Sequence, residues 1–446
     1  MSDPEIHHSR SWLGVILLVA LGLRLAAACG LQSLLETRWH RDFLIQGDAE
    51  GYWQLAQQIA SGGNYAIHNP PRYALRMPGF PALLALPVAF FGPDLFAARL
   101  FLAGIGTLGC WLVYRLGTRI FDHQTGLLAA ALAAVSPVMV VFTEVILSET
   151  AFAVTLLWSL LAGDRLYRQL KFASGNALQT EKPDGLLTFR NLGLASVHTG
   201  IAIAAGVTMR PSWILAAPIV AVLLLICCQA RMRALACGGI VVGVMIFCLV
   251  PWGIRNWRVT GHFTLTTFWM GPSLYDGLNP AATGDSNMAF YDRDRLMDQM
   301  DEFEVDQHYR RAAWKFLREH PGRALQLAWA KTVRYWSPWP NADQFGQWWM
   351  KVVVGTFSVP IFLFSLFGSF SLVDSREKKP RWALSGETIW SMAILAGPIF
   401  YFALIHLFFV SSLRYRLPAE YPLLVLAASG VRFWLPGRRA SVKNTA

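Results

Sequence analysis

Long apolar runs separated by short polar connectors make up most of the chain. Runs near the ~20 residues needed to cross a bilayer core lie at about 12–31, 95–116, 126–143, 147–163, 191–208, 211–229, 234–252, 350–372, 387–409 and 417–434. A shorter run, Phe80–Phe91, is interrupted by Pro81 and Pro87, and its length suits a half-helix dipping into the membrane. The pattern predicts an all-α polytopic membrane protein of about ten transmembrane helices. It also divides the chain: 1–254 forms a transmembrane module with a first loop at 33–94, 255–349 is a polar segment, and 350–446 holds the last helices and a tail. Within the polar segment, RNWRVTGHFTLTT from Arg255 predicts a short strand pair, which would make this a small mixed region. LYDGLNPAATGD reads as turns. Met297–Phe316 reads as an amphipathic helix, and Arg323–Trp336 as a second one lying along the membrane surface. Trp329, Trp336, Trp339, Trp348 and Trp349 suit an interfacial position.

Composition strengthens this picture. Only 15% of residues are charged, 54% are hydrophobic and the mean hydropathy is +0.38, whereas a soluble domain carries about 25% charged residues. The net charge of +11 sits in connectors between spans, which is the placement of topology signals and argues against nucleic acid as a partner. With the N-terminus and Arg10 in the cytoplasm, the inside connectors carry Arg115 and Arg119; Arg165, Arg168, Lys171, Lys182 and Arg190; Arg231 and Arg233; Arg376, Lys378, Lys379 and Arg381; and the tail Arg432, Arg438, Arg439 and Lys443. Both termini are then cytoplasmic, in a multi-pass protein of the inner (cell) membrane. The first apolar run lacks a small-residue cleavage site and reads as a retained span. The six cysteines lie in or beside apolar runs without zinc-ligand spacing and read as small buried hydrophobes.

The opposite, extracytoplasmic face collects acids and arginines from distant parts of the chain. The first loop contributes Asp48 and Glu50, followed by Tyr52, Leu55 and Ile59 at helical spacing, and then Arg72 and Arg76. Glu144 and Glu149 flank the next outside turn, and Arg210, Arg255, Arg414 and Arg416 stand at later span ends. Either first-loop acid can cap a helix, act as general base toward a hydroxyl, or join a divalent-cation site, the weaker reading with two carboxylates. Glu149, at the start of an apolar span, needs a partner for its charge and is preferred over Glu144. Guanidinium groups fit phosphate oxygens in pairs, so the outside arginines predict a phosphate site; Arg76, Arg210 and Arg416 lead the candidates. His406, inside a span, reads as a hydrogen-bonded core residue.

Several stretches resemble the GT-C glycosyltransferases, specifically bacterial relatives of protein O-mannosyltransferases and lipid A aminoarabinose transferases (glycosyltransferase family 39-like). They are GDAEGYWQLAQQIASGGNY, RMPGFPALLALPVAFFG, ARLFLAGIGTLGCWLVYRLGTRIFDHQTGLLAAALAAVSP, ILSETAFAVTLLWSLL, LYDGLNPAATG, EVDQHYRRAAWKFLREHPG and RYRLPAEYPLLVLAASG. In order, they cover most of the chain. The resemblance implies inverting transfer from a polyprenyl-phosphate sugar donor to an acceptor protein, lipid or glycan on the outer face. Asp48 is the position that matches the family's first-loop catalytic acid; Asp48 and Glu50 are the candidate catalytic residues, and Tyr52, Arg72, Arg76, Glu149, Arg210, Arg414 and Arg416 the candidate substrate-binding residues. Family members often have two adjacent acids where this chain has Asp48-Ala49-Glu50. No Rossmann-type glycine fingerprint follows a strand, as suits a donor whose lipid stays in the bilayer. The alternative reading is a transporter or flippase for a lipid-linked or anionic solute, although the charges gather at one face rather than at mid-membrane.

Overall fold

The computed structural model describes residues 4–175, 185–342, 345–376 and 384–434. Part of the inside connector between Lys171 and Arg190, and the basic residues Lys182, Lys378, Lys379, Arg381, Arg438, Arg439 and Lys443, lie outside them. The first half of the chain forms α1 (Pro4–Leu34), α2 (Asp48–Ser61), α3 (Gly79–Phe91), α4 (Leu95–Ile120), α5 (His123–Val135), α6 (Pro137–Glu144), α7 (Glu149–Gly175), α8 (Gly185–Met209), α9 (Ala216–Cys227) and α10 (Arg231–Thr260). The second half forms α11 (Met270–Gly277), α12 (Ala289–Asp294), α13 (Glu302–Glu319), α14 (Pro321–Trp336), α15 (Trp348–Arg376), α16 (Gly386–Leu395), α17 (Gly397–Ile405) and α18 (Leu413–Trp434).

Among the described residues, five helices are long and apolar enough to cross a membrane: α1, α4, α8, α10 and α15. The pairs α5–α6 and α16–α17 are bent by 58° and 56°, and counting each pair as one broken span gives seven. Pro137 at the start of α6 and Pro398 near the start of α17 account for the breaks, since proline cannot continue the hydrogen-bond ladder. Helices α7 and α18 are long but more polar, and α9 is short; the expected count of about ten spans is consistent with this set of helices. Leu18, Phe247 and Phe370 are more than two-thirds exposed on the flanks, as lipid-facing positions require. The protein is a multi-pass, all-helical membrane protein.

Ion pairs sort the connectors into two ends. At one end Arg119 and Arg168 share Asp164, Lys171 meets Glu387, and Arg432 meets Asp122. At the other end lie the first loop, the starts of α7 and α18, and the break between α8 and α9. The separation read from the sequence is therefore present in three dimensions.

Helix α18 runs through the middle, buried from Arg416 to Gly430. It crosses α15 closely enough that backbones touch: a Cβ on Gly430 would lie 1.9 Å from the Phe364 carbonyl oxygen, and one on Gly368 1.9 Å from that of Leu426. Small residues allow such approaches between apolar helices. Gly430→Val is expected to lower stability by about 1–3 kcal/mol or more through overpacking, read as a fall in the thermal midpoint of the purified protein. An unchanged midpoint would contradict the tight crossing.

The segment after α10 is helical, and the expected strand pair is absent. Residues 255–260 extend α10 by more than a turn until Gly261, at φ 75°, ends it. The Thr-rich stretch that follows does not pair with a strand because its carbonyls are taken by α10 itself. Asn256 Nδ2 donates to Thr264 O (3.1 Å) and Thr266 O (3.3 Å), and Trp252 Nε1 to Thr266 O (2.8 Å). The two amphipathic helices are present as α13 and α14. Asp301 and Glu304 form a capping box that starts α13.

Candidate active site at one end of the bundle

Helix α2 starts at Asp48, behind Gly47, whose φ of 73° supplies a turn that other residues adopt at a cost. The helix has no side-chain N-cap, and the Asp48 carboxylate turns instead to two cations. Arg76 bonds one carboxylate oxygen, and Arg414 reaches the other at 2.8 Å. Tyr52 follows one turn later on the same face, with the Arg76 guanidinium 5.2 Å from its ring centroid. Glu50, two positions from Asp48, is exposed on another side of the helix. The expected pair of acids thus separates into one site residue and one surface residue.

The loop carrying Arg76 is held on both sides. Tyr65 Oη donates to the carbonyls of Arg76 and Met77, at 3.2 Å each. Arg255 donates to the carbonyls of Tyr65 and Tyr73. Glu302, from α13, accepts the amides of Tyr73 and Ala74. Arg72 lies against the faces of Tyr291 and Trp269, 4.7 and 5.7 Å from the centroids. Arg72 therefore docks the first loop onto the 261–336 region and Arg255 docks it onto α10; neither is brought to Asp48. Beyond Arg76, α3 begins at Gly79, where a Cβ would lie 2.6–2.7 Å from Thr208 atoms. That contact brings the end of the first loop beside the end of α8.

There Arg210 precedes Pro211, and the residue before a proline is driven out of the helical region. Arg210 is extended at φ −144°, ψ 115°, which ends α8 and aims its side chain at Glu149. Glu149, the first residue of α7, is fully buried; Arg210 donates to its Oε1 at 2.8 Å and Arg414 Nε to the same oxygen. Arg414 thereby bridges Glu149 and Asp48. Its approach is fixed by the turn before α18, where Lys331 donates to the carbonyls of Leu407 (3.1 Å) and Phe408 (2.8 Å) and Arg334 Nε to that of Ser411 (3.1 Å). Arg416, two positions later, faces elsewhere: it pairs with Glu420 and donates to the carbonyls of Tyr335 and Ser337. Glu144 is buried at the end of α6 and is not part of the cluster.

The result is three guanidinium groups over two carboxylates, a net charge of one positive. Burial alone would raise the proton affinity of Asp48, but Arg76 and Arg414 outweigh it and hold the carboxyl well below its ordinary range. The set suits an anion better than a metal ion, because guanidinium groups occupy the carboxylates. Among the described residues no group of three or more His, Cys, Asp and Glu could hold a metal. Tyr415 was not distinguished in the sequence, yet it completes one wall. Its ring lies 5.7 Å from the guanidinium carbons of both Arg210 and Arg414 and stacks on His406 at 4.6 Å. Its place between two outside arginines was the available signal. His406 is a hydrogen-bonded core residue, as expected, with Nδ1 2.6 Å from the carbonyl of Val410.

A family profile described as dolichyl-phosphate-mannose-protein mannosyltransferase matches residues 71–174, which contain Arg76 and Glu149. No curated protein matches the chain. Among solved structures, the chain is similar to the archaeal oligosaccharyltransferase AglB from Archaeoglobus fulgidus, in complex with an inhibitory peptide and a dolichol-phosphate. The TM-score is 0.59 and the identity 15%, over 100% of this chain and 52% of that one. The apo form of the oligosaccharyltransferase from the same organism gives a TM-score of 0.58 at 17% identity, over 98% and 52% of the two chains. A form tethered to an acceptor peptide containing the NVT sequon gives 0.57 at 16%, over 96% and 49%. The chain spans about half the length of these three structures, and its fold is of the GT-C type.

Proposed function

We propose that the chain is a membrane glycosyltransferase. It moves a sugar from a polyprenyl-phosphate donor to an acceptor hydroxyl, with inversion, at the end of the bundle that holds Asp48, which the charge pattern of the connectors assigns to the extracytoplasmic side. The observation that carries this reading is the Asp48–Arg76–Arg414–Glu149–Arg210 cluster. A lipid phosphodiester brings one negative charge, and the cluster offers one net positive charge to meet it. The acceptor oxygen attacks the anomeric carbon, the bond from that carbon to the phosphate oxygen breaks, and the electron pair leaves with the phosphate. Asp48 takes the hydroxyl proton. The phosphate gains a negative charge as Asp48 loses one, so the total charge in the site is unchanged through the reaction. Arg76, Arg210 and Arg414 stabilise the charge developing on the departing phosphate. No metal step is needed for this balance.

The family profile over residues 71–174 and the fold shared with an oligosaccharyltransferase solved with dolichol-phosphate support the reading. The 261–336 region, docked on the first loop through Glu302 and Arg72, would cover the bound substrates and choose among protein, lipid or glycan acceptors. The test is mass spectrometry of envelope lipids and glycans from cells lacking the gene. One sugar modification should disappear and one polyprenyl-phosphate sugar accumulate, both reversed by the wild-type gene. Unchanged profiles would refute the proposal, and movement of a solute across the bilayer without a covalent product would favour the flippase reading.

A further inference from the structure

We infer that Asp48 and the phosphate of the donor compete for the same guanidinium groups, so that phosphate binding is the event that frees Asp48 to accept a proton. The inference rests on the reading of the site given above. Both Asp48 carboxylate oxygens are occupied, one by Arg76 and the other by Arg414. A carboxylate held by two cations is a poor proton acceptor. The cluster therefore rests in a state in which the base is idle.

The two carboxylates of the cluster differ in how easily they can be displaced. The Glu149 side chain is 0% exposed at the start of α7 and holds Arg210 and Arg414 from beneath, whereas the Asp48 side chain is 31% exposed. Glu149 cannot leave without stranding buried charge; Asp48 can turn toward water. Arg414 uses Nε on Glu149 and one terminal nitrogen on Asp48. A phosphate entering from the open side can take the second position while the first stays filled. The phosphate binds a site already anchored by Glu149, and Asp48 gives up its place. Once released, Asp48 recovers the proton affinity of an ordinary carboxylate beside the newly bound donor. The donor must then bind before the acceptor hydroxyl can be activated, which keeps the base quiet in an empty site.

The apparent affinity for a phosphate is reduced by the fraction of time Asp48 holds the arginines. Removing the competitor should therefore tighten binding. The probe is farnesyl phosphate, titrated calorimetrically into the full chain in nanodiscs of zwitterionic lipid. Asp48→Asn is expected to bind it about 10-fold tighter than wild type, within the usual range of coupling between sites. Glu319→Gln, which makes the same charge change at the exposed end of α13, should bind as wild type does. In wild type, an isotope-edited infrared difference spectrum with labelled aspartate should show a carboxylate band moving when farnesyl phosphate is added, a measurement that does not depend on the variant folding. Affinity equal to or weaker than wild type in Asp48→Asn, or no moving band, would overturn the exchange while leaving the phosphate site standing. Failure of farnesyl phosphate to bind either protein would overturn the site reading and the exchange together.

Discussion

Asp48→Asn is expected to abolish sugar transfer in a protein that still folds. Asparagine matches aspartate in shape and keeps one oxygen for a guanidinium group, so α2 and the first loop have little reason to move. It cannot take a proton from a hydroxyl. General-base catalysis contributes roughly 10²–10⁴ in rate, and the initial rate with a polyprenyl-phosphate sugar should fall by at least that much. The Asp48 carboxylate is part of the native ion-pair network, so the variant should also lose some stability. The sign of that loss with pH is fixed. A carboxyl whose folded-state pKa is depressed stabilises the fold above its unfolded value of about 3.9, and the contribution disappears as pH falls through the lower folded value. At neutral pH wild type and variant should therefore differ modestly in thermal midpoint, and at strongly acid pH they should converge. Full transfer activity in Asp48→Asn would remove the mechanism; an unfolded Asp48→Asn would mean that the carboxylate is mainly structural.

Much of the architecture is legible in the apolar pattern, because a bilayer leaves helices few alternatives for satisfying backbone polar groups. The broken spans α5–α6 and α16–α17 fall inside runs read as single spans; bends at prolines leave hydropathy unchanged. The strand pair at 255–267 failed for a local reason. Threonine-rich alternation does resemble a strand, but Asn256 and Trp252 on the preceding helix take the acceptors a second strand would need.

The site is legible by region and not by residue. Sequence spacing identifies which outside span ends carry charge, yet residues two apart on a helix point in different directions. Asp48 and Glu50 divide on this ground, and so do Arg414 and Arg416, where the sequence favoured the second for phosphate and the structure brings the first to Asp48. Arg72 and Arg255 are outside arginines by the same criterion as Arg76. Their partners, two aromatic faces and a set of loop carbonyls, come from segments far away in sequence, so only the tertiary structure reveals that they dock loops. Glu149 was identifiable because a carboxylate opening an apolar span requires a partner. That it has two, and that one of them also holds Asp48, depends on the extended backbone at Arg210 and the braced turn before α18.

Glu149→Ala is expected to be the most destabilising single change in the cluster. Its carboxylate is the shared partner of Arg210 and Arg414, whose side chains are only 13% and 17% exposed. Deleting one partner of a buried ion pair leaves the remaining charge uncompensated and costs about 3–5 kcal/mol. The carboxylate also sits at the N-terminus of α7, where the helix dipole favours a negative charge. Loss of Glu149 should therefore lower the thermal midpoint more than Gly430→Val and leave Arg414 free to close on Asp48. The two roles of Glu149 separate in a double variant. Glu149→Ala combined with Arg210→Met removes charges of both signs together and should recover part of the lost stability, since interacting residues are not additive. Transfer should stay low, because a guanidinium group placed for the phosphate is gone and Arg414 has lost its anchor. A thermal midpoint for Glu149→Ala equal to wild type would show that the arginines are solvated well enough to stand alone. Recovery of both stability and transfer in the double variant would show that Arg210 serves only to neutralise Glu149.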